Sequence, residues 1–419
     1  MIDTNLEKVQ ILIQQQNFEK AKEMLSSILS QEPTNIDALI FYAHVLMQIG
    51  ETEKATQVIN NLIETAPDLP TAFYLKCQVE AQKLEFDQAE ASISEAINLN
   101  PEEADYFAYW ASIKLVRKKY EEALKLADHA LSLDAEHILA LNVRSNALTK
   151  LNRNVESFDT IKEALNEDPN NSYTHSNYGW NLLEAGKPKK ALEHFREALR
   201  LDPSNEHAKS GTIEAMKAKY FLYRMFLKYI FAMGKLSANL QWVVIIGFFI
   251  LQKVIANVSV SNPEMAPYLN PILYIMIFFA ISTWILTPIS NLVLRLNPYG
   301  RYLLDKEEIM SSNLVGGSLI VFLIGLIGNF ITPFPISETF FAIAFFGFSM
   351  MLPMSSFLSE DKKGIVFYAT IALAALGIFT IYLINEVGTI NIKMSTYYIY
   401  AFIGYQFLAN ARVIRKNNY

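Results

Sequence analysis

The sequence predicts an all-α protein in two parts, a helical-hairpin solenoid followed by a polytopic α-helical transmembrane domain. Three observations lead there. Prolines recur every 34 residues, at Pro33, Pro67, Pro101, Pro169 and Pro203. Long apolar runs replace the polar pattern after residue 240. The charge also changes sign, from a net −12 over residues 1–209 to +6 over residues 210–419. The resulting division is residues 1–205 for the solenoid, 206–239 for a junction and 240–419 for the membrane domain.

The acidic first half excludes nucleic acid as an expected partner, because phosphate binding needs clustered cations. Cys77 is the one cysteine, which rules out an intrachain disulfide and a cysteine-based zinc site. The N-terminal stretch MIDTNLEKVQILIQQQNFEKA has no cationic segment followed by an apolar core, so no cleavable signal is expected and the first half should lie in the cytosol.

The period of 34 runs without a slip, and Ala135 stands where one further proline is due. Twelve residues before each mark comes a small residue: Ala21, Ala55, Ala89, Ala123, Ser157 and Ala191. Five before it comes Ile28, Leu62, Ala96, Ala130, Ala164 or Ala198. Each period divides into two helical patterns around a turn, as in SYTHSNYGWNLLEAG followed by KPKKALEHFREALRLDP. Small residues let antiparallel helices approach closely, and a proline ends the second helix. One hairpin cannot bury its own face, so six must stack.

Tyr178, Gly179, Leu182, Gly186, Ala191, Phe195, Ala198 and Pro203, with Leu39, Tyr42, Ala43, Leu46, Gly50, Ala55 and Pro67, resemble the tetratricopeptide repeat (TPR), and the likeness extends over residues 2–205. Lys8 and Lys76 depart from it in repeats one and three. The resemblance implies a right-handed superhelix whose first helices line a concave groove for a protein or peptide partner. Its groove positions fall on Gln10, Gln14, His44, Gln48, Tyr74, Gln78, Gln82, Ser112, Asn142, Asn146 and Trp180. Asn146 and Asn177 also match the paired asparagines of a carboxylate clamp found in some members. Asn142 replaces the clamp's lysine and Gly211 its arginine.

In the junction, Lys217, Arg224, Lys228 and Lys235 fall within roughly 40° of one line if residues 211–240 form a single helix. These cations are expected at the membrane interface, against lipid headgroups. Glu206 to Lys219 sits where a seventh first helix would begin, with Ala208, Gly211, Ile213 and Ala215 available to cap repeat six.

Six apolar runs follow: Leu240–Ala256, Leu269–Leu294, Leu314–Ile331, Thr339–Phe357, Ile365–Ile384 and Tyr397–Val413. Most approach the ~20 residues a bilayer core requires. If all six cross, 13 cations lie on one side, Lys362 and Lys363 among them, against Lys253 and Lys393 on the other. That bias places both termini in the cytosol, in a membrane such as a bacterial inner membrane. Between the second and third runs, Asn297 to Gly300 reads as a turn, and Asp305 with Glu308 as a capping box for a short helix.

No ionisable group falls near a span midplane, and no P-loop, His-Glu-x-x-His, Gly-x-Ser-x-Gly or Rossmann pattern occurs. The six histidines, all in the repeat half, are scattered over different repeat positions. No enzymatic activity, cofactor or metal is expected. The reading that follows is a membrane-anchored scaffold or adaptor at the cytosolic face. The alternative is a transporter, channel or lipid-handling protein with a regulatory repeat domain.

Overall fold

A small residue every 34 positions dictates where helices touch, and the computed structural model, which describes residues 2–296, 298–356, 364–387 and 392–416, places helices accordingly. The chain divides into two units, Met1–Asn181 and Leu182–Tyr419. In order come α1 (Ile2–Gln14), α2 (Phe18–Gln31), α3 (Ile36–Gln48), α4 (Thr52–Thr65), α5 (Pro70–Gln82), α6 (Phe86–Leu99), α7 (Ala104–Val116), α8 (Tyr120–Leu133), α9 (Ile138–Lys150), α10 (Asn154–Glu167), α11 (Ser172–Glu184) and α12 (Pro188–Leu201). Helices of 13 and 14 residues alternate. The unit boundary falls within α11.

Ala21, Ala55, Ala89, Ala123, Ser157 and Ala191 have no exposed surface, and the residues seven further on are equally buried apart from Ile28 at 4%. Each hairpin turns through one residue in the left-handed region: Gln16, Gly50, Leu84, Lys118, Asn152 and Gly186, again 34 apart. Glycine occupies only two of these six, so four side chains hold a conformation that disfavours them. Asn35, His137, Asn171 and Asn205 cap first helices by accepting from the amide three residues on. Helix α8 ends at Leu133, in register with its counterparts although Ala135 replaces the proline. The end is therefore set by packing and the following turn as well as by proline.

Within the first unit, successive first helices touch, α1 with α3, α3 with α5 and α7 with α9. The second helices reach the following repeat through its first helix, α2 with α3, α4 with α5, α6 with α7 and α8 with α9. First helices therefore lie on the inside of the curve.

The second unit starts with the end of α11 and α12, then α13 (Glu206–Lys217) and α14 (Phe221–Gly234). Asn205 caps α13 as Asn171 caps α11, and Ala208 and Ala215 are fully buried, so α13 occupies the place of a seventh first helix. After it come α15 (Ala238–Ser261), α16 (Ala266–Leu294), α17 (Pro298–Leu303), α18 (Lys306–Ile331), α19 (Ile336–Ser356), α20 (Ile365–Val387) and α21 (Ile392–Lys416). Gly325 and Gly347 let α18 and α19 pack backbone to backbone: a Cβ on Gly325 would lie 2.3 Å from the Ala344 nitrogen. Ile213 of α13 packs with Leu294 and Leu304, which ties the cap helix to the connection after α16.

Of the helices carrying the six apolar runs, α15, α18, α19 and α20 are long and apolar enough to cross a membrane. Helix α16 bends by 63° between Ala266–Ala280 and Ile285–Leu294, and adds a fifth if the bent pair forms one span. Pro288 falls just beyond the bend and removes an amide from the helical ladder. Helix α21, 25 residues long, carries the sixth run interspersed with tyrosines and polar groups. The Asp305–Glu308 capping box forms as read, but the helix it opens is α18 itself rather than a separate short one. Asn297, Lys362 and Lys363 lie outside the described residues.

Gln241, at the start of the first run, is buried and donates to the carbonyls of Met233 and Leu236, completing the end of α14. Most other polar groups on the apolar helices bond to their own backbone, as Ser318 to Leu314, Thr370 to Val366 and Thr380 to Leu376. Two of them also bond across to a neighbouring helix: Ser349, besides the Phe346 carbonyl, meets the Tyr398 hydroxyl at 2.6 Å and joins α19 to α21, and Thr370 meets the Tyr405 hydroxyl at 3.2 Å and joins α20 to α21.

Candidate functional site

The same face of each first helix recurs one repeat apart, so Gln10, His44, Gln78, Ser112, Asn146 and Trp180 form one row and Gln14, Gln48 and Gln82 a second, one turn further along. Gln10, Gln14, Gln48 and Gln82 are exposed, while His44, Tyr74, Gln78, Ser112, Asn146 and Trp180 are half-buried. Burial holds the His44 pKa below its ordinary value, which leaves the ring neutral at pH 7. The rows therefore present amides, a neutral imidazole and an aromatic ring, without formal charge.

Asn142 and Asn177 do not join that surface. Asn177 Nδ2 donates to Asn142 Oδ1 at 2.9 Å, and Asn142 Nδ2 donates to Thr174 Oγ1 and the Ile138 carbonyl, each at 2.9 Å. Both residues are buried, Asn142 completely. Repeat register put them on the inner helices but gave no sign that they would satisfy one another across the interface between α9 and α11. Asn181 continues the buried polar set by donating to Ser145 Oγ, which bonds Ser157 of the second helix. The paired-asparagine clamp is thereby reduced to Asn146.

An aromatic cluster that sequence reasoning missed adjoins Tyr74. Its ring centroid lies 5.0 Å from that of Tyr106 and 5.5 Å from that of Tyr109, the second pair edge-on. Burial is the main cause raising the pKa of all three phenols. The signal was present, since Tyr109 follows Tyr74 by 35 residues and so neighbours its position on the next first helix.

Of the four junction cations, Lys217 ends α13, Arg224 and Lys228 lie on α14 and Lys235 is the residue that caps its C-terminus, because the chain turns at Ala218–Tyr220 between the two helices. That turn breaks the phase assumed for a single helix and removes Lys217 from the stripe. Lys217 is buried, with Nζ 3.1 Å from Glu214 Oε1 and 5.7 Å from the Tyr223 ring centroid. Tyr223 donates to the other Glu214 oxygen at 2.7 Å, and burial raises its pKa. Arg224, Lys228 and Lys235 keep the stripe. Lys235 Nζ lies 2.9 Å from Glu184 Oε1, and the Lys228 stem passes beside Gly186.

Among the described residues no group of three or more His, Cys, Asp or Glu is arranged to hold a metal ion.

Tetratricopeptide-repeat family models match residues 12–79 and 172–205. No curated protein matches the chain significantly. Similar solved structures include a tetratricopeptide repeat protein from Parabacteroides merdae, 20% identical, covering 51% of this chain and 83% of that one with a TM-score of 0.45. YrrB, described as a TPR protein with an unusual peptide-binding site, is 19% identical over 44% of this chain and 95% of its own, with a TM-score of 0.32. MamA is 17% identical over 40% and 91%, with a TM-score of 0.33. The two matched stretches, residues 12–79 and 172–205, are tetratricopeptide-repeat segments.

Proposed function

We propose that the protein is a membrane-anchored scaffold that binds a protein partner along the inner face of its repeats. The observation that carries this reading is the uncharged row Gln10, His44, Gln78, Ser112, Asn146 and Trp180, with Gln14, Gln48 and Gln82 beside it. A side-chain amide both donates and accepts, as a peptide group does, so a ladder of amides suits an extended segment with its backbone exposed. Trp180 and the Tyr74 ring supply apolar contact area at low entropic cost. A partner of low net charge fits such a face better than an acidic tail or nucleic acid.

The apolar helices that follow are the anchor, and anchoring raises the partner's local concentration at the bilayer. In this reading six crossings place both termini in the cytosol, in a bacterial inner membrane or a membrane of equivalent topology. No cofactor takes part.

The test is affinity purification of the full-length protein in mild detergent, comparing wild type with a Gln48→Glu, Gln78→Glu, Trp180→Ala variant. The account expects loss of specific partners in the variant, with retention when Glu95 and Lys125 on second helices are exchanged instead. An unchanged partner set would remove the groove from the account.

A further inference from the structure

Helix α14 has two apolar faces, and the protein covers one of them. Tyr223, Phe226 and Leu227 are buried. Phe221, Leu222 and Met225 are 69%, 53% and 55% exposed, next to an exposed Tyr220. At ~100° per residue the three exposed side chains share one face with Ala232, and Arg224 and Lys228 run along its edge. Lys219 is exposed in the preceding turn. Among the described residues no carboxylate lies within ion-pair distance of Lys219, Arg224 or Lys228. Lys235 is different, since Glu184 holds it.

The helix has 14 residues, about 21 Å, too short for a hydrocarbon core of about 30 Å. A bend at Lys235–Ser237, closed by the Gln241 amide on the Met233 and Leu236 carbonyls, separates it from the apolar α15. Apolar surface bordered by free cations and joined to a span has one natural cover, the headgroup and upper acyl layer of the leaflet that α15 enters. We propose that α14 is an interfacial helix that binds anionic lipid, Phe221, Leu222 and Met225 lying among the acyl chains and Lys219, Arg224 and Lys228 against anionic headgroups. This rests on the membrane reading above and adds the lipid class and the residues that select it. Each cation near an anionic surface contributes about 1 kcal/mol, so three give on the order of a hundredfold preference at low salt.

The test uses the full-length protein with Cys77→Ala and a single fluorophore on Met225→Cys, reconstituted in nanodiscs of phosphatidylcholine with or without phosphatidylglycerol. Lipids brominated on the acyl chains serve as quenchers, and Val243→Cys on the exposed face of α15 is the control for insertion. The proposal expects the Met225 probe to be quenched, more strongly with phosphatidylglycerol. It expects the increment to vanish with 0.5 M salt or in the Lys219→Gln, Arg224→Gln, Lys228→Gln variant, while Val243 is quenched throughout. A quenched Val243 with an unquenched Met225 probe would overturn it while leaving the anchor standing. Blue-shifted but unquenched Met225 emission would assign the face to a protein neighbour and overturn it equally. Equal quenching in both lipids would refute the headgroup selection. Failure of both probes to quench would refute the anchor itself.

Discussion

Lys235, the last cation before the first long apolar helix, forms an ion pair at 2.9 Å with Glu184 at the end of the last first helix of the repeats. The Glu184 side chain is 8% exposed and that of Lys235 19%. Removing one partner leaves the other desolvated without compensation. Because Lys235 keeps some solvent, Glu184→Ala should cost about 1–3 kcal/mol, less than the loss of a fully buried pair. The expected outcome is faster tryptic cleavage between Ala215 and Lys235 in the detergent-solubilised protein, with cleavage elsewhere unchanged.

Gly211 of α13 sits against the Phe195 ring of α12, where a Cβ would come 2.3 Å from two ring atoms. Phe195 is fully buried, so the ring cannot swing into solvent. Gly211→Ala should destabilise the second unit by about 1–3 kcal/mol through overpacking. Combining it with Phe195→Leu, which vacates the ring position, should restore part of the loss. Thermal unfolding followed by intrinsic fluorescence measures the coupling, and strictly additive effects would contradict the packing account.

The left-handed turn residues offer a stabilising change. Leu84, at φ 64°, and Lys118, at φ 60°, occupy the slot that glycine fills at positions 50 and 186. Relief of about 1–2 kcal/mol of strain competes with glycine's greater unfolded-state entropy, about 0.5–1 kcal/mol. Leu84→Gly and Lys118→Gly should each be neutral to stabilising by about 1 kcal/mol. Gly50→Leu should destabilise, as read by the same melting experiment.

Much of the repeat half was legible because a 34-residue period fixes which residues face one another. Ala55 and Leu62 could be placed in the core without a structure. The same register placed Asn142 and Asn177 on the inner helices, but hydrogen bonding between neighbours is a side-chain property that the period does not encode. Lys217 was misassigned for a different reason: periodicity assumes an unbroken helix, and the turn at Ala218–Tyr220 resets the phase. At Asp305 the capping box was readable, whereas the continuity of α18 was hidden by the polar stretch before Leu314.

His137 links two repeats and gives the first unit a pH dependence. Its Nδ1 accepts from the Ala140 amide while Nε2 faces Asp105 Oδ1 at 2.9 Å. The hydrogen bond to Asp105 raises the histidine's pKa above its ordinary value, and the same bond lowers that of Asp105. The histidine's contribution is therefore fully present below about pH 6.5 and is lost as pH rises through its raised value. That of Asp105 is present above about pH 4 and is lost as pH falls through its lowered value. His137→Asn keeps a capping side chain of the type found at Asn35 and Asn171. It should lower the melting temperature most between about pH 4 and 6.5, and the difference should shrink in more alkaline buffer. A difference that does not change with pH would contradict this pairing.

The central claim is that the inner face of the repeats receives a protein partner while the protein resides in its membrane. Its most direct measurement is photo-cross-linking in native membranes, with a photoreactive residue at Gln78 on the inner face or at Glu95 on a second helix. The account predicts a discrete adduct from Gln78 that disappears when Gln48→Glu and Trp180→Ala are introduced, and none of that mass from Glu95. The same adducts from both positions, or a Gln78 adduct indifferent to the groove substitutions, would contradict it.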